Sequence, residues 1–170
     1  MGSGASTPRD AQLTSLEGDE EAVATILAEL GSCGVPRKGM AAEALRLALV
    51  GDGPMRAAVR AYLVARQCDN DFDFLVAARD FEHTRGPDDA AVRGRALDVY
   101  ERYVKSGSPS EVSLPWRVSG ELQSRVTGRR AAGRVGNDVF AAAADCVSKE
   151  LARDAMGAFV AAHRRPGPLP

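Results

Sequence analysis

"RALDVYERYVKSGSPSEVSL", residues 95–114, decides the fold. Its first half carries a helical signature. Ala96, Val99, Tyr100, Tyr103 and Val104, with Val92 ahead of them, recur at helix spacing and make one continuous apolar stripe. Gly107 and Pro109 then break the helix. Past the break, Val112 and Leu114 flank Ser113, and Pro115 can open another helix. The alternation in "EVSLP" is too short, and too bounded by proline, to be a core strand. The segment therefore reads as a helix handing over to a loop whose tip turns a hydroxyl outward between two apolar neighbours.

Outward from this segment the helical pattern repeats. Toward the N-terminus, Ala22, Val23, Ile26, Leu27 and Leu30 form an i, i+3, i+4, i+7 stripe that ends at "GSCG". A second helix is expected from about Gly39 to Val50. "GDGP" stops and restarts the chain, with Asp52 able to cap and Pro54 near the first helical position. The third helix buries Met55, Val59, Tyr62 and Leu63. "CDND" starts a fourth, carrying Phe72, Leu75, Val76 and Phe81, and "RGPDD" is the next stop and start. Beyond the loop, Val118, Leu122 and Val126 mark a shorter helix. Asn137 is expected to cap one with Phe140, Ala143, Ala144 and Val147, and Leu151, Met156, Phe159 and Val160 close the set. Strand-type alternation is nearly absent, so the fold class is all-α, with helices joined by short loops. Residues 1–19 read as a flexible tail, 20–34 as an additional N-terminal helix, 40–164 as the domain proper, and 165–170 as a C-terminal tail.

The composition narrows the function. The 170 residues suit one domain with spare length at its ends. Charged residues are 26% and the formal net charge is -1, a balance that argues against a nucleic-acid binder. Cys33, Cys68 and Cys146 are an odd number without short spacing, which is no disulfide framework and fits a reducing, cytoplasmic compartment. No apolar run is long enough to span a bilayer, and no signal-peptide core is present.

The sequence carries no catalytic constellation. His83 and His163 are the two histidines. Only Asp80 and Glu82 stand near His83, short of the roughly four converging ligands that a zinc site needs. "GDGPMR" lacks the third glycine and the Lys-Ser/Thr of a phosphate loop. Asp71 with Asp73, and Asp88 with Asp89, are carboxylate pairs of the kind that caps helices and faces solvent. Arg125, Arg129, Arg130 and Arg134 could share a face and meet an acidic partner or anionic lipid, though a solvated loop or helix surface is the favoured reading. No metal, cofactor or enzyme activity of the chain's own is expected. Gly2 with Ser6 fits the M-G-x-x-x-[ST] pattern for N-myristoylation, although Thr7 and Pro8 replace the usual basic pair. One acyl chain would give weak peripheral association with the inner face of the plasma membrane.

Taken together, "DFDFLVAARDFEH" (71–83), the opening segment, and "RDAMGAFVAA" (153–162) resemble the regulator of G-protein signalling (RGS) domain family. The resemblance spans roughly Leu45 to His163, and Tyr100 to Leu114 is its most specific part. It implies a bundle of about nine helices. It also implies a partner, the α subunit of a heterotrimeric G protein (Gα) in its GTP or transition-state form. Such domains hold the switch segments in the shape of the transition state and so accelerate GTP hydrolysis without donating an arginine finger. The resemblance places Asn70, Asp71, Glu111, Val112, Ser113, Leu114, Glu150, Asp154, Ala155 and Ala158 at the Gα-binding surface. Ser113 takes the place of the polar residue that contacts the G protein's catalytic glutamine region, and Val112 and Leu114 would pin the tip to the bundle.

Several positions depart from the family pattern. Asn70 and Asp71 stand for a Glu-Asn pair, and Ala155 for the serine beside Asp154. Ala158 replaces the arginine that buttresses this aspartate, Glu150 replaces an apolar contact residue, and Pro115 replaces a helix-capping aspartate. A charge-assisted interface bond lost this way costs about 2–5 kcal/mol when its partner is left unpaired. The alternative reading is therefore an RGS-fold binding or scaffold module that does not stimulate hydrolysis. Ser113 could also be an N-cap for the helix after Pro115, and Asp154 a brace for its own loop. A monomer is the default state.

Overall fold

The computed structural model describes residues 8–83, 88–128 and 135–163, with side chains from residue 20 onward except Arg37 and Lys38. Among the described residues there are eight α-helices and one π-helical turn, and no strand. The helices are α1 (Pro8–Ser32), α2 (Arg37–Val50), α3 (Pro54–Val64), α4 (Asp69–Glu82), α5 (Asp89–Tyr103), α6 (Trp116–Thr127), α7 (Ala141–Leu151) and α8 (Gly157–His163). The π-helical turn, Ala152–Met156, joins α7 to α8. The all-α reading holds. No described helix is long and apolar enough to cross a membrane.

The chain folds into two compact units. One takes the residues up to Tyr62 together with those from Ala155 on; the other is Leu63–Asp154. In the first, α1, α2 and α8 pack on one another in a triangle. Val23 and Leu27 of α1, Met40, Ala44 and Ala48 of α2, and Met156 and Phe159 at the chain's return are all but fully buried there. Tyr62 meets the Phe159 ring edge-on at 5.2 Å. Arg56 fastens the end of α2: its Nε and Nη2 donate to the carbonyls of Ala48 and Leu49 at 3.0 and 3.1 Å, and Nη1 pairs with Asp52. These carbonyls have no partner within the helix, so the guanidinium satisfies them and complements the negative helix end.

In the second unit α4 packs on α5 and α7, and α6 packs on α5 and α7, closing a ring of four helices. Aromatic rings fill its centre. Phe74 lies 5.9 Å from Tyr103 and 6.3 Å from Phe140, and Phe81 lies 5.2 Å from Phe140, the two phenylalanine pairs edge to face. Each buried ring contributes about 1.5–3 kcal/mol by leaving water. The helix starts follow local chemistry. Asp88 accepts from the Ala91 N–H at 2.7 Å and so caps α5. Asp69 and Asp71 put negative charge in the first turn of α4.

Two expectations change. The backbone is helical from Pro8, over residues read as tail. A proline at the first helical position costs little, and Ala11, Gln12, Leu13, Leu16 and Glu17 are good helix formers that a search for apolar stripes passes over. Asn137 does not cap α7. That helix begins at Ala141 with Phe140 at its N-cap, whereas Asn137 Nδ2 donates to the Glu82 carbonyl at 3.0 Å and ties the segment before α7 to the end of α4.

Candidate functional site

The loop between α5 and α6 is built by its backbone. Val104 and Lys105 both donate to the Tyr100 carbonyl at 2.9 Å, closing α5. Gly107 has φ +82, a conformation that other residues adopt only under strain, and its N–H donates to Glu111 Oε2 at 2.8 Å. Ser108 Oγ binds the Arg102 carbonyl, and Glu111 N donates to the Ser108 carbonyl at 3.1 Å. Finally Val112 N donates to the Tyr103 carbonyl at 2.9 Å, which ties the loop to the helix it came from.

This frame gives each loop residue its place. Val112 is buried, Ser113 exposed and Leu114 half-buried, so the alternation read from the sequence carries through. Val112 is the anchor; burial removes it from direct contact with a partner, and its position at the candidate surface is one of support. Glu111 is exposed but spends a carboxylate oxygen on the turn. Ser113 is not a cap: Pro115 occupies the N-cap of α6, and no side chain caps that end.

The other candidates lie on α4, α7, the π-helical turn and α8. Asn70 is half-buried at the start of α4. Asp71, one residue on, is half-buried and faces Glu150 of α7 across the α4–α7 contact. Burial, and then the Glu150 charge, push its carboxyl above the ordinary carboxylate range. Asp154 is exposed in the π-helical turn. The Arg153 guanidinium grips it with both forks, Nε to Oδ1 at 2.6 Å and Nη2 to Oδ2 at 2.9 Å, and holds its carboxyl below the usual range. Asp154 thus has an arginine partner, supplied from position 153 where the resemblance led one to look at 158. Ala155 and Ala158 belong to the other unit; Ala155 is buried and Ala158 exposed.

The structure thus gathers the candidates of the Leu63–Asp154 unit into a braced hydroxyl-bearing loop between α5 and α6, a carboxylate pair bridging α4 and α7, and an arginine-bound aspartate just past α7. Among the described residues no group of three or more His, Cys, Asp or Glu could hold a metal ion. What the arrangement offers is fixed polar groups on a rigid helical frame. Of the basic group, Arg125 pairs with Asp138 at 3.2 Å; Arg129, Arg130 and Arg134 lie outside the described residues, as does Gly2.

Sequence reasoning missed Trp116. It stands three residues past Ser113 in the first turn of α6 and is 77% exposed. A signal was present: it is the chain's one tryptophan, and it falls out of phase with the Val118, Leu122 and Val126 stripe.

A model of the regulator of G protein signaling domain matches residues 47–163, leaving α1 and most of α2 outside the match. No curated protein matches the chain.

Proposed function

The chain belongs to the regulator of G protein signaling domain family, whose members generally bind Gα subunits, and from this premise we propose that it binds a Gα subunit and accelerates its GTP hydrolysis. The observation that carries this reading is the Ser113 loop. A hydroxyl is presented to solvent from a segment held by the buried Val112 side chain, by the Val112–Tyr103 backbone bond and by the Gly107–Glu111 brace. Acceleration by such a domain is pre-organisation. The switch segments are held near the geometry of the transition state, and the entropy of ordering them is spent on binding and not on the barrier. A loop that flexed could not do this, and this one is tied at both ends. Asp154, fixed by Arg153, offers a second oriented acceptor.

A second reading, a Gα-binding or scaffold module without acceleration, is favoured by Glu150. It sets a second carboxylate beside the half-buried Asp71, where the family pattern has an apolar residue. Retention of Gα loaded with GDP and aluminium fluoride, a mimic of the transition state, separates the two. The leading reading expects retention of this form over the GDP form, and loss of that preference in Ser113→Asp. Equal retention of both forms, insensitive to Ser113→Asp, supports the scaffold and sinks the leading reading. Attachment to the inner face of the plasma membrane through an acylated Gly2 remains a separate proposal, tested by mass spectrometry of the N-terminus after expression with an acyltransferase.

A further inference from the structure

We propose that Trp116, with the Arg117 guanidinium across its ring, is a partner-binding anchor that extends the Ser113 surface onto α6 and meets an apolar, acid-bordered spot on the Gα subunit. The inference rests on the reading above and names the contact that would set its affinity.

All five phenylalanines are buried, with Tyr100 and Tyr103, and Tyr62 is half-buried. Trp116, the largest ring of all, is left 77% exposed. It is not there for the core, because the apolar stripe of α6 runs through Leu122 and Val126. It is not loosely placed either. It is the first residue of α6, follows Pro115, and sits beside a loop whose backbone is tied to α5. The Arg117 guanidinium carbon lies 5.2 Å from the centre of the indole, within cation–π range. That contact keeps the cation beside the ring and leaves both accessible. Tryptophan and arginine, side by side here, are among the residue types that most often carry interface energy.

The occupant follows from continuity and charge. Trp116 and Arg117 follow Ser113 by three and four residues and are exposed as it is, so a Gα subunit seated on Ser113 lies within their reach, and Arg117 favours a carboxylate at the edge of the apolar spot.

The test uses the whole chain. Because it has one tryptophan, labelling with 5-fluorotryptophan gives a single fluorine resonance from this site. On adding Gα loaded with GDP and aluminium fluoride, that resonance is expected to shift and to lose its difference between light and heavy water. Trp116→Ala is expected to raise the concentration for half-maximal Gα retention about tenfold or more, with Trp116→Phe between, and to leave the thermal midpoint unchanged. The inference is overturned, with the proposed function intact, if the complex forms and Ser113→Asp abolishes it, while the resonance stays solvent-sensitive and Trp116→Ala changes retention less than about twofold. Failure of the unsubstituted chain to bind any Gα overturns both.

Discussion

At the scale of single residues, Asp71 states the chemistry most sharply. Burial and the neighbouring Glu150 both disfavour its charged form, so its folded pKa is raised. The sign follows from proton linkage. Between the unfolded and folded pKa the native state holds more protons, so stability falls as pH rises through that window, and the cost persists above it. Asp71→Asn is therefore expected to stabilise the domain at neutral pH, with the gain vanishing in acid below the ordinary aspartate pKa. Urea denaturation of both proteins across that range reads this directly. A gain that grows toward low pH would contradict it. Asp154 shows the reverse. Adjacent residues on a regular helix point apart, so the grip of Arg153 on Asp154 is invisible in a helical projection, whereas the two lie together in a π-helical turn. The resemblance points to position 158 for this arginine, and the structure supplies one from position 153.

At the scale of elements, the α5–α6 loop is the part most legible in the sequence, because its chemistry is local. Gly107 breaks the helix, and alternation seats Val112 inward and Ser113 outward; both follow from period and backbone freedom alone. Gly107→Ala is expected to cost about 1 kcal/mol at φ +82, and, by loosening the brace to Glu111, to weaken Gα retention more than stability. Matched denaturation and pull-down series would separate the two effects. Gln67 holds a similar backbone at the end of α3, φ 58, without being glycine. Gln67→Gly is expected to raise stability by about 0.5–1 kcal/mol, measured as a shift of the denaturation midpoint, with no change in partner binding. Trp116 was legible only through its phase, opposite to the Val118, Leu122 and Val126 stripe of α6, because a single aromatic at a helix start carries no motif.

At the scale of the whole molecule, the family match begins within α2, yet α1 is part of the first unit. Val23 and Leu27 are 0% and 1% exposed, and α1 packs on both α2 and α8. The apolar stripe of α1 is legible in the sequence and its reach back to Pro8 is not, because propensity without periodicity is a weak signal. Leu27→Ala is expected to destabilise by about 2–5 kcal/mol, which a thermal melt would detect, and a variant truncated to the matched residues would lose that packing altogether. The whole molecule also carries the central claim, that an ordered surface on a helical frame speeds a reaction in which it supplies no reacting group. Single-turnover GTP hydrolysis by a panel of Gα subunits, with and without the full chain, tests it most directly. The expected result is acceleration of at least one Gα by roughly tenfold or more, about 1.4 kcal/mol of barrier, abolished by Ser113→Asp. Unchanged rates across the panel, or acceleration that Ser113→Asp leaves intact, would contradict it.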